Sequence, residues 1–455
     1  MTQENRSSFT GKIGFVLAAA GSAVGLGNIW RFPYLAAKYG GGIFLLVYIV
    51  LAVSFGFALM AAEIALGRKT GLSAIGAFKA LDKRFSFIGV LAAIVPAIIL
   101  PYYSVIGGWV MKFLFAFSTG DALKTTDDNY FSSFISQTGE PILWFAIFLG
   151  ITAVIVMCGV EKGIENVSKV MMPILVILSL FIAIYSVCLP GAMEGVKYYL
   201  LPEFDKFSVK TVLAAMGQLF YSMSLAMGIM ITYGSYMKKD VNIESSVRQI
   251  ELFDTGIAVL AGFMIIPAIF AFTPVGATPD VGKGPGLMFI TLPKVFESMP
   301  GAGTIIGIAF FLMVFFAALT SSISLMETVV SIVSDKFKLK RIPSCLVVLA
   351  LSVVLGLLSS MGSGLLQNVT VIGMQFLDFF DFISNSVLMP IVALLTCIFV
   401  GYVIKPKALI DEIQCGGTEF KGKKLFSVVI RYIAPIFIVL ILISSLLDTF
   451  GVFKI

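Results

Sequence analysis

The 455-residue chain contains no histidine. This absence excludes histidine acid–base catalysis, histidine-containing catalytic triads and histidine metal sites. Cysteine is also rare, and because the five cysteines are scattered and form no CxxC pair, we expect no disulfide and no metal bound through them. They are Cys158, Cys188, Cys345, Cys397 and Cys415.

Charged residues are scarce as well. They make up 13% of the chain, whereas 58% of the residues are hydrophobic. A water-soluble domain lacks the interior to bury so much apolar surface, so the composition predicts a polytopic membrane protein with almost no extramembrane domain. The apolar segments are continuous rather than alternating, which favours helices over a β-barrel. The net charge of +6 does not indicate nucleic-acid binding, because the basic residues gather in particular loops.

Eleven apolar segments are long enough to span a bilayer as helices, since a span needs about 20 residues. They cover residues 12–37, 42–68, 87–118, 141–159, 166–188, 211–237, 246–272, 304–334, 344–361, 370–402 and 430–448. Residues 16–23 also resemble a secretory signal peptide, but the N-terminus is weakly charged and further apolar segments follow. We therefore predict a single transmembrane domain over residues 1–455.

Lysine and arginine concentrate in alternate loops. By the positive-inside rule, these loops and the N-terminus lie in the cytoplasm, and eleven spans then place Ile455 outside. The basic residues of these loops are Arg68, Lys69, Lys83, Arg84, Lys162, Lys238, Lys239, Lys336, Lys338, Lys340, Arg341, Lys405, Lys407, Lys421, Lys423 and Lys424.

Glycine interrupts the first apolar segment at Gly21, Gly25 and Gly27, just before Asn28. Glycine weakens a helix because it loses the most backbone entropy on folding, so we predict a break near mid-membrane. A second break is predicted at 222–228, five spans later. An odd offset reverses direction across the membrane, which predicts an inverted repeat of residues 12–188 and 211–402, with an extra helix at 430–448. Such paired interruptions indicate the binding site of a secondary transporter.

Ionisable residues inside membrane spans are costly and usually functional. Arg31 and Asp381 are candidates for an ion pair across an outer vestibule, although Arg31 could instead extend to the interface. Asp254 has no obvious cationic partner, so it either attracts a cation or stays neutral and hydrogen-bonded. The complete set is Arg31, Glu63, Asp254, Glu327, Asp378 and Asp381.

Hydroxyl groups at Thr320 and Ser321 are hard oxygen ligands that suit a hard cation beside the freed carbonyls of Gly21 and Val24. The alternative is that they bond back to carbonyls of their own helix or join two helices. Tyr103 places a phenol mid-membrane, which by itself is more typical of a core residue than of a ligand.

Five segments match sequence motifs of a known family: 21–33, 63–68, 218–220, 289–293 and 319–322. On the basis of these motifs, residues 6 to about 448 resemble bacterial members of the neurotransmitter:sodium symporter family, which are sodium-coupled amino-acid transporters and not enzymes. The resemblance implies an all-α fold of eleven transmembrane helices with a 5+5 inverted repeat and discontinuous helices 1 and 6. It also implies location in the plasma (inner) membrane, two sodium sites and no organic cofactor.

The resemblance implies the following site residues. The second sodium site would use Gly21, Val24, Ala317, Thr320 and Ser321. The first would use the substrate carboxylate with Ala23, Asn28, Ser222 and Asp254. The substrate backbone would bind Ala23, Leu26, Gly27, Tyr103, Tyr221, Ser222 and Ser224. The side-chain pocket would comprise Val24, Ile99, Tyr103, Tyr221, Ala226, Met227, Ser321 and Leu325. The outer gate would be Arg31–Asp381 with Tyr103 and Tyr221, and the inner gate Arg6–Asp335 with Phe9 and Tyr236.

Several positions depart from relatives. Gly25 stands where monoamine carriers have Asp, so the substrate should bring its own carboxylate. Asp254 stands where many relatives have Asn, and Ala258 lacks the Glu of some chloride-independent relatives, so we predict that Asp254 makes transport independent of chloride. Met227 is adaptable, which favours bulky or aromatic hydrophobic L-amino acids.

Three other classes remain open from the residues. Broken helices and hydroxyl groups also line ion channels. Asp254, Asp378 and Asp381 are compatible with an intramembrane aspartyl protease, although no paired catalytic motif surrounds them. A sensor that binds an amino acid without transporting it would have the same sequence features.

Overall fold

The computed structural model describes residues 8–273, 282, 284–299, 301–415 and 419–449. These residues form helices joined by short loops, and their only extended pairings are two isolated bridges. In chain order the helices are α1 (Lys12–Ala23), α2 (Gly27–Lys38), α3 (Gly42–Thr70), α4 (Ala74–Leu81), α5 (Lys83–Ser118), α6 (Tyr130–Ser136), α7 (Gly139–Met157), α8 (Val160–Val187), α9 (Ala192–Leu200), α10 (Val209–Ser222), α11 (Ile229–Ser235), α12 (Ile243–Phe272), α13 (Leu292–Glu297), α14 (Gly303–Phe337), α15 (Arg341–Met361), α16 (Phe376–Val403), α17 (Lys405–Ile413) and α18 (Lys423–Thr449).

The all-helical membrane architecture is confirmed for the described residues. Within the described ranges, nine helices are long and apolar enough to cross a membrane, and α1 with α2 makes a tenth candidate as one bent span. The span predicted at 211–237 is divided between α10 and α11. The span predicted from residue 370 begins only at Phe376, because Val371 and Met374 pair in an isolated bridge. The count of eleven and the inverted repeat stay predictions.

Both predicted helix breaks are present. The first lies between α1 and α2, whose axes differ by 55°, and Val24 there has an extended backbone. The second is the segment 223–228 between α10 and α11. Ser224 and Ala226 in this segment have φ values of 52° and 60°, a left-handed conformation that ordinary residues adopt only when their surroundings impose it.

Small residues bring α11 against α3. An added Cβ at Gly67 of α3 would lie 1.8 Å from the Ile231 carbonyl oxygen, and one at Gly234 of α11 would lie 2.3 Å from the Ile64 carbonyl oxygen. Apolar helices in a membrane associate largely through such close backbone contacts. Gly67 and Gly234 therefore allow α11, the second half of the second broken helix, to pack directly against the backbone of α3.

Candidate functional site

A small cavity lies between the two breaks. Eleven of the thirteen predicted substrate residues line it. They are Ala23, Leu26, Gly27, Ile99, Tyr103, Tyr221, Ser222, Ser224, Met227, Ser321 and Leu325. The other two, Val24 and Ala226, are buried in the breaks beside the cavity without lining it.

Three lining residues were not among the predicted site residues: Ser22, Gly25 and Ile229. The Ser22 hydroxyl accepts a hydrogen bond from Ser324 at 2.7 Å, and the Ser22 carbonyl accepts one from Ser224 at 2.9 Å. Ser22 thus connects the first break to both the second break and α14. Its position inside the glycine-rich motif was the available sequence signal.

Backbone amides at the start of α2 face the cavity. The amide of Leu26 donates to the Tyr103 hydroxyl at 3.3 Å, and the amide of Gly25 donates to Oδ1 of Asn28 at 3.1 Å. Amides at a helix N-terminus favour an anionic group such as a carboxylate. An added Cβ at Gly25 would lie 2.9 Å from the Ser321 hydroxyl, so a side chain there would take up space beside these amides.

A cluster of oxygen-bearing side chains adjoins one side of the cavity. Oδ1 of Asp254 accepts hydrogen bonds from the Asn28 amide at 2.7 Å and from the Ser222 hydroxyl at 2.6 Å. The Tyr48 hydroxyl lies 3.5 Å from Oδ2. Asp254 is fully buried, and no lysine or arginine of the described residues pairs with it. A buried carboxylate with only neutral partners needs a bound cation or a proton.

A second oxygen cluster joins α14 to the first break. The Ser321 hydroxyl donates to the carbonyl oxygens of Gly21 at 3.3 Å and Val24 at 3.2 Å. The Thr320 hydroxyl donates to Phe316 at 2.9 Å and to Ala317 at 3.2 Å, so the predicted back-bonding to its own helix is present. A hydroxyl that donates still has lone pairs available for a cation. Both interpretations of Thr320 are therefore compatible with this geometry.

A larger cavity opens on the other side of Tyr103 and Tyr221, which line both spaces. Arg31 and Asp381 line this larger cavity, the predicted outer vestibule, but among the described residues they form no ion pair within 4.0 Å. The Arg31 guanidinium lies 5.3 Å from the ring centre of Tyr221. Asp381 instead accepts hydrogen bonds from Tyr102 at 3.2 Å and from Asn385 at 2.7 Å. The predicted direct Arg31–Asp381 contact is therefore absent in this conformation, because each group has another partner.

The predicted inner gate is described only in part, since Arg6 lies outside the described residues. Asp335 accepts a hydrogen bond from the Ser73 amide at 3.0 Å. Phe9 packs edge-on against Tyr236, and its amide donates to the Tyr236 carbonyl at 3.2 Å. These contacts place Phe9 and Tyr236 together, as predicted.

Glu327 joins the same inner region. It accepts a hydrogen bond from the Tyr236 hydroxyl at 2.7 Å and forms an ion pair with Arg341 at 2.5 Å. The sequence identified Glu327 as an ionisable group within a span but did not predict these partners. Glu63 is another ionisable residue to which the sequence assigned no role. It accepts a hydrogen bond from the Ala226 amide at 2.7 Å and thereby supports the second break.

Two interrupted helices around a shared cavity, inside a bundle of apolar helices, define an integral membrane transporter, because irregular backbone is tolerated at membrane depth only where protein or a cavity surrounds it. A family model described as Sodium:neurotransmitter symporter family matches residues 6–133 and 122–452. The chain belongs to this family. It is a sodium-dependent transporter and not an enzyme, so the intramembrane protease alternative is wrong.

Similar proteins agree with this assignment. The chain is 36% identical over 455 residues to the sodium-dependent transporter YhdH of Bacillus subtilis, covering 98% of each protein. It is 32% identical over 465 residues to a sodium-dependent transporter of Haemophilus influenzae, covering 98% of this chain and 100% of that one. A crystal structure of MhsT in complex with L-phenylalanine is similar with a TM-score of 0.86 and 37% identity, covering 97% of this chain and 100% of MhsT.

Proposed function

We propose that this protein is a symporter that uses two sodium ions to import hydrophobic L-amino acids, with a preference for bulky or aromatic side chains and without a need for chloride. The observation that carries the proposal is the cavity between the two breaks, where backbone amides, an acid-containing cluster and apolar side chains meet. Access alternates between the two sides of the membrane around this midplane site.

The substrate carboxylate binds at the start of α2, near the amides of Leu26 and Gly27 and the Tyr103 hydroxyl. The first sodium ion binds between this carboxylate and the side chains of Asn28, Ser222 and Asp254, with the Ala23 carbonyl as a further ligand. Asn28 and Ser222 support this assignment because each lines the cavity and also bonds Asp254. Because the substrate carboxylate is itself a ligand of this sodium ion, the substrate and the ion each strengthen the binding of the other by the same factor.

The second sodium ion binds among the oxygens of Gly21, Val24, Ala317, Thr320 and Ser321. These ligand atoms are neutral hydroxyl and carbonyl oxygens, a set that suits a hard cation. The substrate amine binds carbonyls of the two breaks at Ala23, Tyr221 and Ser222, together with the Ser224 hydroxyl. The negative ends of the interrupted helices favour such a cation.

Apolar side chains at Ile99, Met227 and Leu325 surround the remaining space and favour a hydrophobic substrate. The solved complex of MhsT with L-phenylalanine, at 37% identity, supports an aromatic amino acid. Asp254 supplies a fixed negative charge beside the first sodium ion, which removes the need for a halide. Ala258, one turn further along α12, is buried and carries no charge.

We further propose that the N-terminus lies in the cytoplasm and that the C-terminus lies outside the cell membrane. The basic loops support this orientation. The gates comprise Arg31 and Asp381 with the two tyrosines on the outer side, and Arg6, Asp335 and Tyr236 on the inner side.

Uptake of radiolabelled amino acids into proteoliposomes tests the proposal. We expect uptake of L-phenylalanine with external sodium and none with choline, and no loss when gluconate replaces chloride. Competition by tryptophan, tyrosine and leucine should exceed that by glycine and alanine. A strict chloride requirement contradicts the role of Asp254, and preference for glycine contradicts the substrate assignment. Saturable, sodium-driven uptake also separates a symporter from a channel or a sensor.

A further inference from the structure

The end of α3 carries a buried arginine that the proposed transport mechanism does not use. Arg68 lies in the last turn of this helix, and only 1% of its side chain is exposed. A buried guanidinium is costly unless its donors find acceptors. The partners of Arg68 therefore identify what the protein holds in place at this end of α3.

The Arg68 guanidinium donates to acceptors on two other segments of the chain. Nε donates to Oε1 of Glu412 at 2.9 Å, and one terminal nitrogen donates to the Glu412 carbonyl oxygen. The other terminal nitrogen donates to the Val241 carbonyl oxygen at 2.6 Å. Glu412 lies near the end of α17, whereas Val241 lies in the loop 236–242 between α11 and α12. Arg68 thus joins three segments that are far apart in the chain.

A lysine from the same loop completes the cluster. The Lys239 ammonium donates to Oε1 of Glu412 at 2.7 Å and to the Arg68 carbonyl oxygen at 3.1 Å. Glu412 therefore accepts hydrogen bonds from both cations, although only 8% of its side chain is exposed. We call Arg68, Lys239, Val241 and Glu412 the inner clamp.

The loop that the inner clamp holds begins at Tyr236, a residue of the proposed inner gate. The Tyr236 carbonyl accepts a hydrogen bond from the Phe9 amide at 3.2 Å. Within the loop, the Met237 and Val241 amides donate to carbonyls three residues earlier in the chain. Such local bonds fix the shape of the turn but not its position relative to α3. The inner clamp supplies that position, and through Tyr236 it also places the contact with Phe9.

The helix that supplies Glu412 begins at a strained residue. Lys405 has a φ value of 65°, a left-handed conformation that a lysine adopts only when its surroundings impose it. It also precedes Pro406, and residues before proline favour an extended backbone. α17 is held in place by the burial of Leu409 and by the inner clamp. Strain at one end of α17 is thus opposed by the clamp at the other end.

A buried ion pair contributes little net stability, because the cost of removing both charges from water offsets their attraction. Such a cluster is better suited to fixing one arrangement of the chain than to stabilising the fold. We propose that Arg68 and Glu412 are positioning residues of the inner gate, which hold the loop 236–242 against α3 and so keep the cytoplasmic side closed. This rests on the inner gate and the alternating access proposed above.

The consequence for transport follows from populations. External sodium binds the conformation that is open to the outside, in which the inner gate is closed. A weaker inner clamp reduces the population of that conformation. The apparent sodium affinity falls by the same fraction, whereas the intrinsic affinity of the sodium sites does not change.

Hydrogen–deuterium exchange of the full-length protein in detergent tests the clamp directly. In Glu412→Gln, the amides of residues 236–242 should exchange at least about tenfold faster than in the wild type, because Arg68 and Lys239 lose their negative partner and exchange reports local opening. Asp82→Asn is the matched control, since it removes an acid that pairs with the exposed Arg84 at 2.8 Å. It should leave the exchange of this loop unchanged. Unchanged exchange in Glu412→Gln, or equal acceleration in every helix, overturns the inference.

Uptake into proteoliposomes separates positioning from a loss of folded protein. In Glu412→Gln, the sodium concentration for half-maximal L-phenylalanine uptake should rise at least about threefold, whereas the maximal rate per folded molecule should not fall. A merely structural role would reduce the maximal uptake and leave the half-maximal concentration unchanged, which would contradict the inference. Absence of sodium-driven uptake by the wild type would instead contradict the proposed function, and the exchange experiment would still test the clamp.

Two further variants keep the test decisive if Glu412→Gln does not fold. The Lys239 side chain is 52% exposed, so Lys239→Gln should fold and should accelerate exchange of the same loop by a smaller factor. Arg68→Lys keeps the charge, but one nitrogen replaces three and cannot bridge Glu412 and Val241 as the guanidinium does. We expect it to accelerate exchange as Glu412→Gln does. Exchange as slow as in the wild type in both variants would rule out the clamp.

Discussion

The two helix breaks that enclose the cavity differ in how they are built. The first break consists of the extended residue Val24 followed by Gly25 and, two residues later, Gly27, and its irregular backbone follows from these glycines. The second break contains Ser224 and Ala226 in left-handed conformations that these residue types resist. Glu63 on α3 bonds the Ala226 amide and so holds the second break from outside. Local sequence thus sets the first break, whereas tertiary contacts impose the second.

The largest expected effect comes from Asp254, which accepts hydrogen bonds from Asn28, just after the first break, and from Ser222, just before the second. Asp254→Ala should reduce sodium-driven uptake to the level measured with choline, because the proposed first sodium ion loses its only charged protein ligand. Radiolabelled uptake into proteoliposomes measures this loss. The exposed residue Asp205 provides the control through Asp205→Ala. Unchanged uptake by Asp254→Ala would refute its role in coupling.

Removing the support of the second break should have the next largest effect. Glu63→Leu leaves the Ala226 amide buried and unpaired, which should lower stability by about 1–3 kcal/mol and reduce uptake. Glu63→Gln keeps an acceptor oxygen and should retain most of both. Thermal unfolding in detergent, followed with uptake, compares the two variants. Equal stability of Glu63→Leu and wild type would show that the second break holds its shape without this bond.

Glycine-to-alanine changes should separate the two breaks by function. Gly25→Ala places a methyl group 2.9 Å from the Ser321 hydroxyl. Overpacking of this kind costs about 1–3 kcal/mol, so substrate binding should weaken and the substrate concentration for half-maximal uptake should rise. Gly228→Ala, at φ 69°, should instead reduce stability by about 1–2 kcal/mol because a side chain disfavours that backbone. Uptake kinetics and thermal unfolding distinguish these outcomes. A purely structural effect of Gly25→Ala would contradict its place in the binding cavity.

The smallest expected effect is a stabilisation. Ala226→Gly relieves the left-handed strain at φ 60°, and the relief exceeds the entropy that glycine loses, so stability should rise by about 0.5 kcal/mol. Ala215→Gly, inside α10, should instead lose about 1 kcal/mol. Thermal unfolding compares the pair. A loss in both variants would show that the second break is not strained at Ala226.

The contrast between the breaks explains how far the sequence predicts this molecule. Hydropathy predicts the long helices, and glycine content predicts the first break. The second break is harder to recognise because only Gly228 in the segment 223–228 favours irregular backbone. Its position five spans after the first provides the stronger signal.

Side-chain partners were the least predictable feature of the site. Asp381 binds Tyr102 and Asn385 rather than Arg31, because the packing of α5 and α16 brings neutral donors closer to the carboxylate. Such choices depend on distances between helices that are far apart in the chain.

Tyr103 and Tyr221 form a wall only one aromatic layer thick between the vestibule and the inner cavity. Solute from the vestibule can therefore reach the cavity by displacing two side chains, without the collective movement of helices that takes microseconds to milliseconds.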